Sequence, residues 1–444
     1  MRSTLPKPLH RLCGRPMIDY VLDAAEISAL ARTVTVLSPT LNDNPEMVAH
    51  LRQRVGDKLG IAIQYEALGT GDALRAAIPL LDDVTSIIVM FADHPVLTRY
   101  RMVELSESLR PADAVVSLLT CVVDSAAGYG RIERTVDSQI QRIVERKDDD
   151  PGLRVGPTEI NSGMMAIDVE WLRSAIDRLR PSPATGEYYL TQLVELAVGD
   201  GRRVTSVQGD PAGLVGVNDR VDLAHAESLL QERIQQQHLR AGVTLVAHQT
   251  TVIEHGVVIG PDTTVLPGCL IKSGTVIGSG CEIGPHTVLD RARIGDGCRI
   301  TASFVTDSEV MDGSDVGPYS HVRGGAMISP GVHIGNFAEI KNSTLATGVR
   351  MGHVSYVGDA SIGERTNIGA GAITCNYDGV NKHRTDVGAD VFIGSDTMLV
   401  APVSIGNGAA TGAGSVVTRD VPAGERVVGV PARPLPNRTR ENGE

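Results

Sequence analysis

Aromatic residues make up only 3% of this 444-residue chain, with one Trp and four Phe. A core of ordinary size must then be built from Val, Ile, Leu and Ala. No apolar run approaches the roughly 18 residues of a membrane-spanning helix, and no signal-peptide pattern opens the chain. Basic residues are in deficit: 41 Lys and Arg stand against 53 Asp and Glu, a net charge of −12. That balance argues against a nucleic-acid surface, while leaving room for small anionic substrates held by a few local cations. The six cysteines (Cys13, Cys121, Cys269, Cys281, Cys298 and Cys375) form no C-x-x-C pair. Buried free thiols in a reducing, cytoplasmic setting are the expectation.

The length favours two or more domains, and two different periods divide the chain. Residues 1–217 alternate strand-like runs, such as Ile87–Phe91 and Ala114–Leu119, with amphipathic stretches such as Tyr100–Leu109. That alternation predicts βαβ units and a mostly parallel sheet, with ligands at the carboxyl ends of strands. Asp93 directly follows such a run. Residues 218–242 read as a linker helix, with Leu223, Ala226, Leu230 and Ile234 at helical spacing and Gly242 at its end.

From residue 243 onward the period becomes six. Ile253, Ile259, Val265, Ile271, Ile277, Ile283 and Leu289 are evenly spaced. After a one-residue slip, Ile294 and Ile300 follow; then Val310, Val316, Val322, Ile328, Ile334 and Ile340; then Ile362 and Ile368; then Val387, Ile393, Leu399 and Ile405. This is the hexapeptide repeat of a left-handed parallel β-helix, predicted over 243–444 with a C-terminal tail. One repeat cannot bury its aliphatic residue alone, so stability comes from stacked neighbours.

A regular solenoid offers no pocket, so chemistry is expected where the repeat breaks. One break spans 345–362 and contains His353, a candidate general base. Glu339 is placed to orient its ring, and Arg323 and Lys341 to clamp a phosphate. The other break is the polar, turn-forming insertion Thr374–His383. Two rival readings stand beside these. His321, His333 and His353 could ligate zinc between subunits, and the β-helix could be purely structural or regulatory.

The motifs LPKPLH, QYEALGTGDA, GYGRI, VERKD, EINSGMM, TGEYYLTQL and GVNDR, followed by VRGGA, IGNFAEIK, GHVSYVGD, NIGAGAITCNYDG and FIGSDTMLVAPV, run over nearly the whole chain. With them the sequence resembles the bacterial bifunctional N-acetylglucosamine-1-phosphate uridyltransferases/glucosamine-1-phosphate acetyltransferases. The resemblance implies a nucleotidyltransferase-like α/β domain followed by the β-helix. The β-helix would move acetyl from acetyl-CoA to glucosamine-1-phosphate. The α/β domain would join the product to UTP with release of pyrophosphate, yielding UDP-N-acetylglucosamine for cell-wall precursors. It also implies a cytoplasmic homotrimer using Mg2+, with no nucleic-acid or membrane partner.

By the same resemblance, His353 would be the base of acetyl transfer and Glu339 would hold it. Arg323, Lys341, Tyr356 and Asn367 would bind the sugar phosphate. Ala370, Asn376, Tyr377, Ser395 and Ala413 would contact acetyl-CoA. Lys7, Gln64, Gly69 and Thr70 would contact the uridine nucleotide, Gly130, Glu145 and Asn161 the sugar, and Asp93 and Asn218 the Mg2+, with Asn218 also at the nucleotide. Three departures stand out. Family members open with a strand and an L-x-x-G-x-G-T-R-M loop, whereas the sequence given begins at Met1-Arg2-Ser3, about where that loop ends. Uridyl transfer is therefore expected to be weak in the chain as given. The expected Tyr-Gly-Asp is Phe91-Ala92-Asp93, followed by an unusual His94. The VVGVPARP tail carries no assigned coenzyme contact.

Overall fold

The computed structural model describes residues 1–26, 31–111, 113–125, 129–145 and 155–435. The last three residues of the VERKD motif lie outside them. The chain forms two compact units, Met1–Leu230 and Gln231–Glu444.

In the first unit, strand Ala114–Ser125 pairs parallel with Arg203–Gln208 and antiparallel with Val155–Asp168. Val155–Asp168 also pairs antiparallel with Ser86–Val89 and with Arg131–Arg134, which continues into Ile140–Val144. Thr33–Leu37 and Leu59–Ile63 form a separate parallel pair. The larger sheet is thus mixed rather than mostly parallel. The short turn around Ser138 returns the chain as a hairpin, and hairpins impose antiparallel pairing. Leu118, Met164, Met165 and Ile167, from the two longest strands, are fully buried. Asp93 lies just beyond the carboxyl end of Ser86–Val89, where the sequence places it.

The second unit is a parallel β-solenoid of about 10 turns. Equivalent strands stack in register, as in Ile253 on Ile271 and Ile259 on Ile277. Every aliphatic residue of the six-residue series is buried in one continuous core. Beside the aliphatic columns run columns of small polar residues that tie one coil to the next. The Thr263 hydroxyl donates to the Gly278 carbonyl (2.8 Å) and accepts from the Cys281 amide (3.0 Å). Ser314 repeats the arrangement with Ser329 and Val332. Cys281 and Cys298 occupy the same column, and their thiols donate to Gly295 O (3.0 Å) and Met311 O (3.1 Å). All six cysteines are free, five of them buried.

The helix expected at 218–242 runs Arg220–Arg240, and the boundary between the units falls within it. Its second half belongs to the solenoid for a physical reason. A first coil has no coil beneath it, so its backbone groups need other partners. Gln231 supplies them: its Nε2 donates to Ile253 O (2.8 Å) and its Oε1 accepts from Ile253 N (3.1 Å), as a strand would. Gln235, itself buried, donates to Thr251 O (2.8 Å) and His248 O (3.1 Å).

Gln231→Leu keeps the side-chain volume but strands both groups of Ile253. It should destabilise the solenoid by about 1–3 kcal/mol, measured as a lower urea midpoint for its unfolding.

Candidate functional site

In the solenoid, the candidate residues gather around one corner. Strands His333–Lys341 and Arg350–Gly358 run unbroken through it, pairing His353 with Asn336 and Tyr356 with Glu339. The backbones press together there: a Cβ on Gly335 would lie 1.9 Å from Gly352 O, so glycine is required. Val354, directly after His353, has φ of 20°, a conformation that β-branched residues avoid.

His353 is exposed, and its Nδ1 lies 2.8 Å from Asn336 Oδ1. That oxygen can only accept, so in the neutral ring Nδ1 carries the proton and Nε2 the lone pair. Within the chain, Asn336 rather than Glu339 orients the ring. Glu339 lies three residues further along, past the corner, and accepts instead from Arg323 (Nε 2.8 Å, Nη2 2.6 Å). Lys341 stacks in register on Arg323. Tyr356 folds over Gly358, the residue paired with Lys341; a Cβ on that glycine would meet the Tyr356 hydroxyl. Arg323, Glu339, Lys341 and Tyr356 therefore share one face. Asn367 stacks on Arg350, on the strand run that enters the corner.

Three of the expected acetyl-CoA residues, Ala370, Ser395 and Ala413, fall on the His353 corner itself. Gly371 N donates to Val354 O, Asp396 N to Ala370 O, and Gly414 N to Ser395 O. The strand register puts His353, Ala370, Ser395 and Ala413 at the same corner position in four successive coils, each two residues past Met351, Ile368, Ile393 and Thr411. Asn376 and Tyr377 lie in the insertion, just past strand Ile373–Cys375. Asp378 hooks that loop closed by accepting from Val380 N and Asn381 N and pairing with His383 (2.7 Å), which holds its carboxyl well below the usual carboxylate range. Among the described residues no group of three or more His, Cys, Asp or Glu is gathered to hold a metal; His333 pairs with Asp315 (2.7 Å).

In the first unit the expected residues form three groups. Lys7 Nζ donates to Asp93 Oδ2 (2.6 Å) and Asn218 Oδ1 (3.4 Å). His94 Nδ1 donates to the other Asp93 oxygen (2.8 Å). Burial pushes the Asp93 carboxyl up, but His94 and Lys7 outweigh it and hold the group at about 2. The ammonium thus stands where two oxygens converge on a cation position. In the second group, Gln64 Nε2 donates to Gly69 O (2.9 Å) and Asp72 (3.0 Å), and Thr70 Oγ1 accepts from Leu190 N (3.1 Å). Gly69, at φ 100°, packs so closely on the Tyr188 backbone that a Cβ would lie 2.6 Å from its carbonyl. In the third group, Asn161 N donates to Gly130 O (2.9 Å) and Glu145 accepts from the Thr191 hydroxyl (2.6 Å). Asn161 Oδ1 is buried without a partner, an acceptor awaiting a donor. The neighbours Leu190 and Thr191 join the second and third groups. Reading the sequence missed Asn336 and Thr191. Asn336 lies 17 residues before His353, one coil back, a spacing that points to it once the register is known.

A nucleotidyl transferase family model matches residues 2–213, and a bacterial transferase hexapeptide model of six repeats matches residues 250–285. The chain is 41% identical over 441 residues to the "Bifunctional protein GlmU" of Mycobacterium tuberculosis (strain ATCC 25177 / H37Ra), covering 98% of this chain and 89% of that protein. The proteins of the same name from Heliobacterium modesticaldum and Pelobacter propionicus are each 41% identical, covering 96% of this chain and 92% of theirs. With both halves matched in order and nearly the full length aligned, this chain belongs to the GlmU family of bifunctional proteins.

Proposed function

We propose that the chain makes UDP-N-acetylglucosamine in two steps, acetylating glucosamine-1-phosphate in the solenoid and uridylating the product in the α/β unit. The carrying observation is the His353 corner. An attacking amine is mostly ammonium at neutral pH and must lose a proton before it can open a thioester. In the neutral ring Nε2 of His353, left with the lone pair by the Asn336 bond to Nδ1, takes that proton. The amine then bonds to the acetyl carbon and the thiol of coenzyme A leaves. Arg323, Lys341 and Tyr356 share the adjoining face and hold the sugar phosphate, with Asn367 across the corner. Glu339 holds Arg323 in place. Ala370, Ser395 and Ala413 continue the same corner away from His353. With coils stacked about 4.8 Å apart, they offer a straight edge for the extended coenzyme arm. A solenoid used only as a spacer needs neither this corner nor the hooked insertion.

In the α/β unit, Gln64, Gly69 and Thr70 support the uridine nucleotide, and Gly130, Glu145 and Asn161 the sugar. Asp93 and Asn218 are the residues that would hold Mg2+, a donor set of carboxylate and amide oxygens that suits that ion. Bound there, Mg2+ would neutralise charge on the triphosphate. Lys7, already between the same two oxygens, is placed to pair with phosphate.

A homotrimer in the cytoplasm accompanies this reading. Tyr319, Phe337 and Val354 occupy one corner position in successive coils at 64%, 56% and 56% exposure, and the first two rings stack at 5.4 Å. Such a ridge is unusual on a free surface, and it directly adjoins Asn336 and His353. No helix of the described residues is long and apolar enough to cross a membrane.

His353→Ala should lower kcat for acetyl transfer by ~10²–10⁴-fold with the KM for glucosamine-1-phosphate little changed; Asn336→Ala should show a smaller loss of the same kind. Near-normal turnover in His353→Ala, measured by thiol release, would remove the base. Asp93→Asn should cut pyrophosphate release from UTP by at least about 10²-fold and leave acetyl transfer intact. Comparison with a chain extended by an L-x-x-G-x-G-T-R-M opening measures how far the uridyl rate depends on that loop. Phe337→Asp should dissociate the trimer in sedimentation; a variant that stays trimeric would rule out the ridge as its contact.

A further inference from the structure

Asp359 ends the GHVSYVGD segment at a corner, with φ of 51°. Its Oδ1 accepts from Asn342 Nδ2 (2.6 Å) and its Oδ2 from Asn376 Nδ2 (2.5 Å). Lys341 Nζ lies 4.0 Å from Oδ2. Its main chain ties in the same elements: Asp359 N donates to Lys341 O (3.0 Å), and Asp359 O accepts from Thr385 N (3.2 Å). Asp359 therefore touches the insertion at Asn376, the first residue past strand Ile373–Cys375, and again where the solenoid resumes at Thr385. Burial pushes its carboxyl up, but the two amides and Lys341 outweigh burial and keep it below its ordinary value.

A carboxylate has no proton to donate, so it fixes which end of each facing amide turns toward it. Asn376 must turn its nitrogen inward to Asp359, which leaves Oδ1 as the outward end. Asn376 is itself largely buried, so the amide has little freedom to flip unless this contact is lost. We propose that Asp359 is a positioning residue of the acetyl-transfer site: it orients Asn376 so that Oδ1 accepts from an amide N–H of the coenzyme's pantetheine arm. This rests on the reading of Asn376 as a coenzyme contact. Lys341 lies close to the same carboxylate, so Asp359 also draws that ammonium away from incoming phosphate. The two substrates should therefore respond oppositely when Asp359 is neutralised.

The test uses the full chain and measures both KM values for acetyl transfer. Asp359→Asn should raise the KM for acetyl-CoA roughly tenfold, with the KM for glucosamine-1-phosphate unchanged or lower. Asn342→Ala, which loosens Asp359 from its other side without touching the site, should shift the acetyl-CoA KM in the same direction by less, and gives a second reading if Asp359→Asn folds poorly. Asn376→Ala should raise the acetyl-CoA KM, and Asp359→Asn added to it should cause no further rise. Equal increases in both KM values, or multiplying penalties in the double variant, would mean general structural damage and overturn the proposal. A wild-type acetyl-CoA KM in Asp359→Asn beside an impaired Asn376→Ala would overturn it alone. A wild-type acetyl-CoA KM in Asn376→Ala would overturn the reading of Asn376 and the proposal with it.

Discussion

Coil-on-coil pairing is the constraint from which the second half of this protein follows. Each coil satisfies its backbone groups on the next, and each inward aliphatic residue finds cover only from its equivalents above and below. The small polar columns follow from that need, because a hydroxyl or thiol at a corner can serve the carbonyl of the neighbouring coil. The same need explains the glutamines of the helix Arg220–Arg240, which stand in for a missing coil. It also shapes the site. Once neighbouring coils are held in register, a side chain's nearest partners come from the coil before and the coil after. The ring of His353 is set by Asn336 in this way.

The α/β unit solves a different problem. Its candidate residues come from distant parts of the chain, and charge brings them together. Lys7 neutralises Asp93 and His94 donates a hydrogen bond to it, while Asn218 contributes an uncharged oxygen. The carboxylate is consequently ionised and fully engaged before any substrate arrives. Asn161 shows the contrasting condition, a buried oxygen without a partner. Such an acceptor is costly to keep unless a donor from outside the chain completes it.

The legibility of the sequence differed sharply between the halves. The six-residue period identified most of the inward aliphatic residues of the solenoid from Ile253 to Ile405, because one spacing and one kind of environment repeat; it passed over Val305, Leu345, Met351 and Val357, where the spacing slips. The break around His353 was legible for the same reason, as a departure from a strict pattern. Asn336 was not, because its link to His353 depends on how many residues the intervening coil contains. Glu339 lies three residues past Asn336 along a strand that turns a corner, and within the chain it engages Arg323. In the α/β unit, alternating strands and helices gave the class. They could not show the mixed pairing around Val155–Asp168, which hairpin geometry decides.

The alignment of His353, Ala370, Ser395 and Ala413 along one corner makes the solenoid a molecular ruler. With His353 as the proposed base, distance from the reacting atoms would be counted in whole coils, not set by the size of individual side chains. Lengthening or shortening the reach of this edge would mean adding or deleting an entire turn of chain. Point substitutions along it would alter grip while leaving the graduation marks where they are.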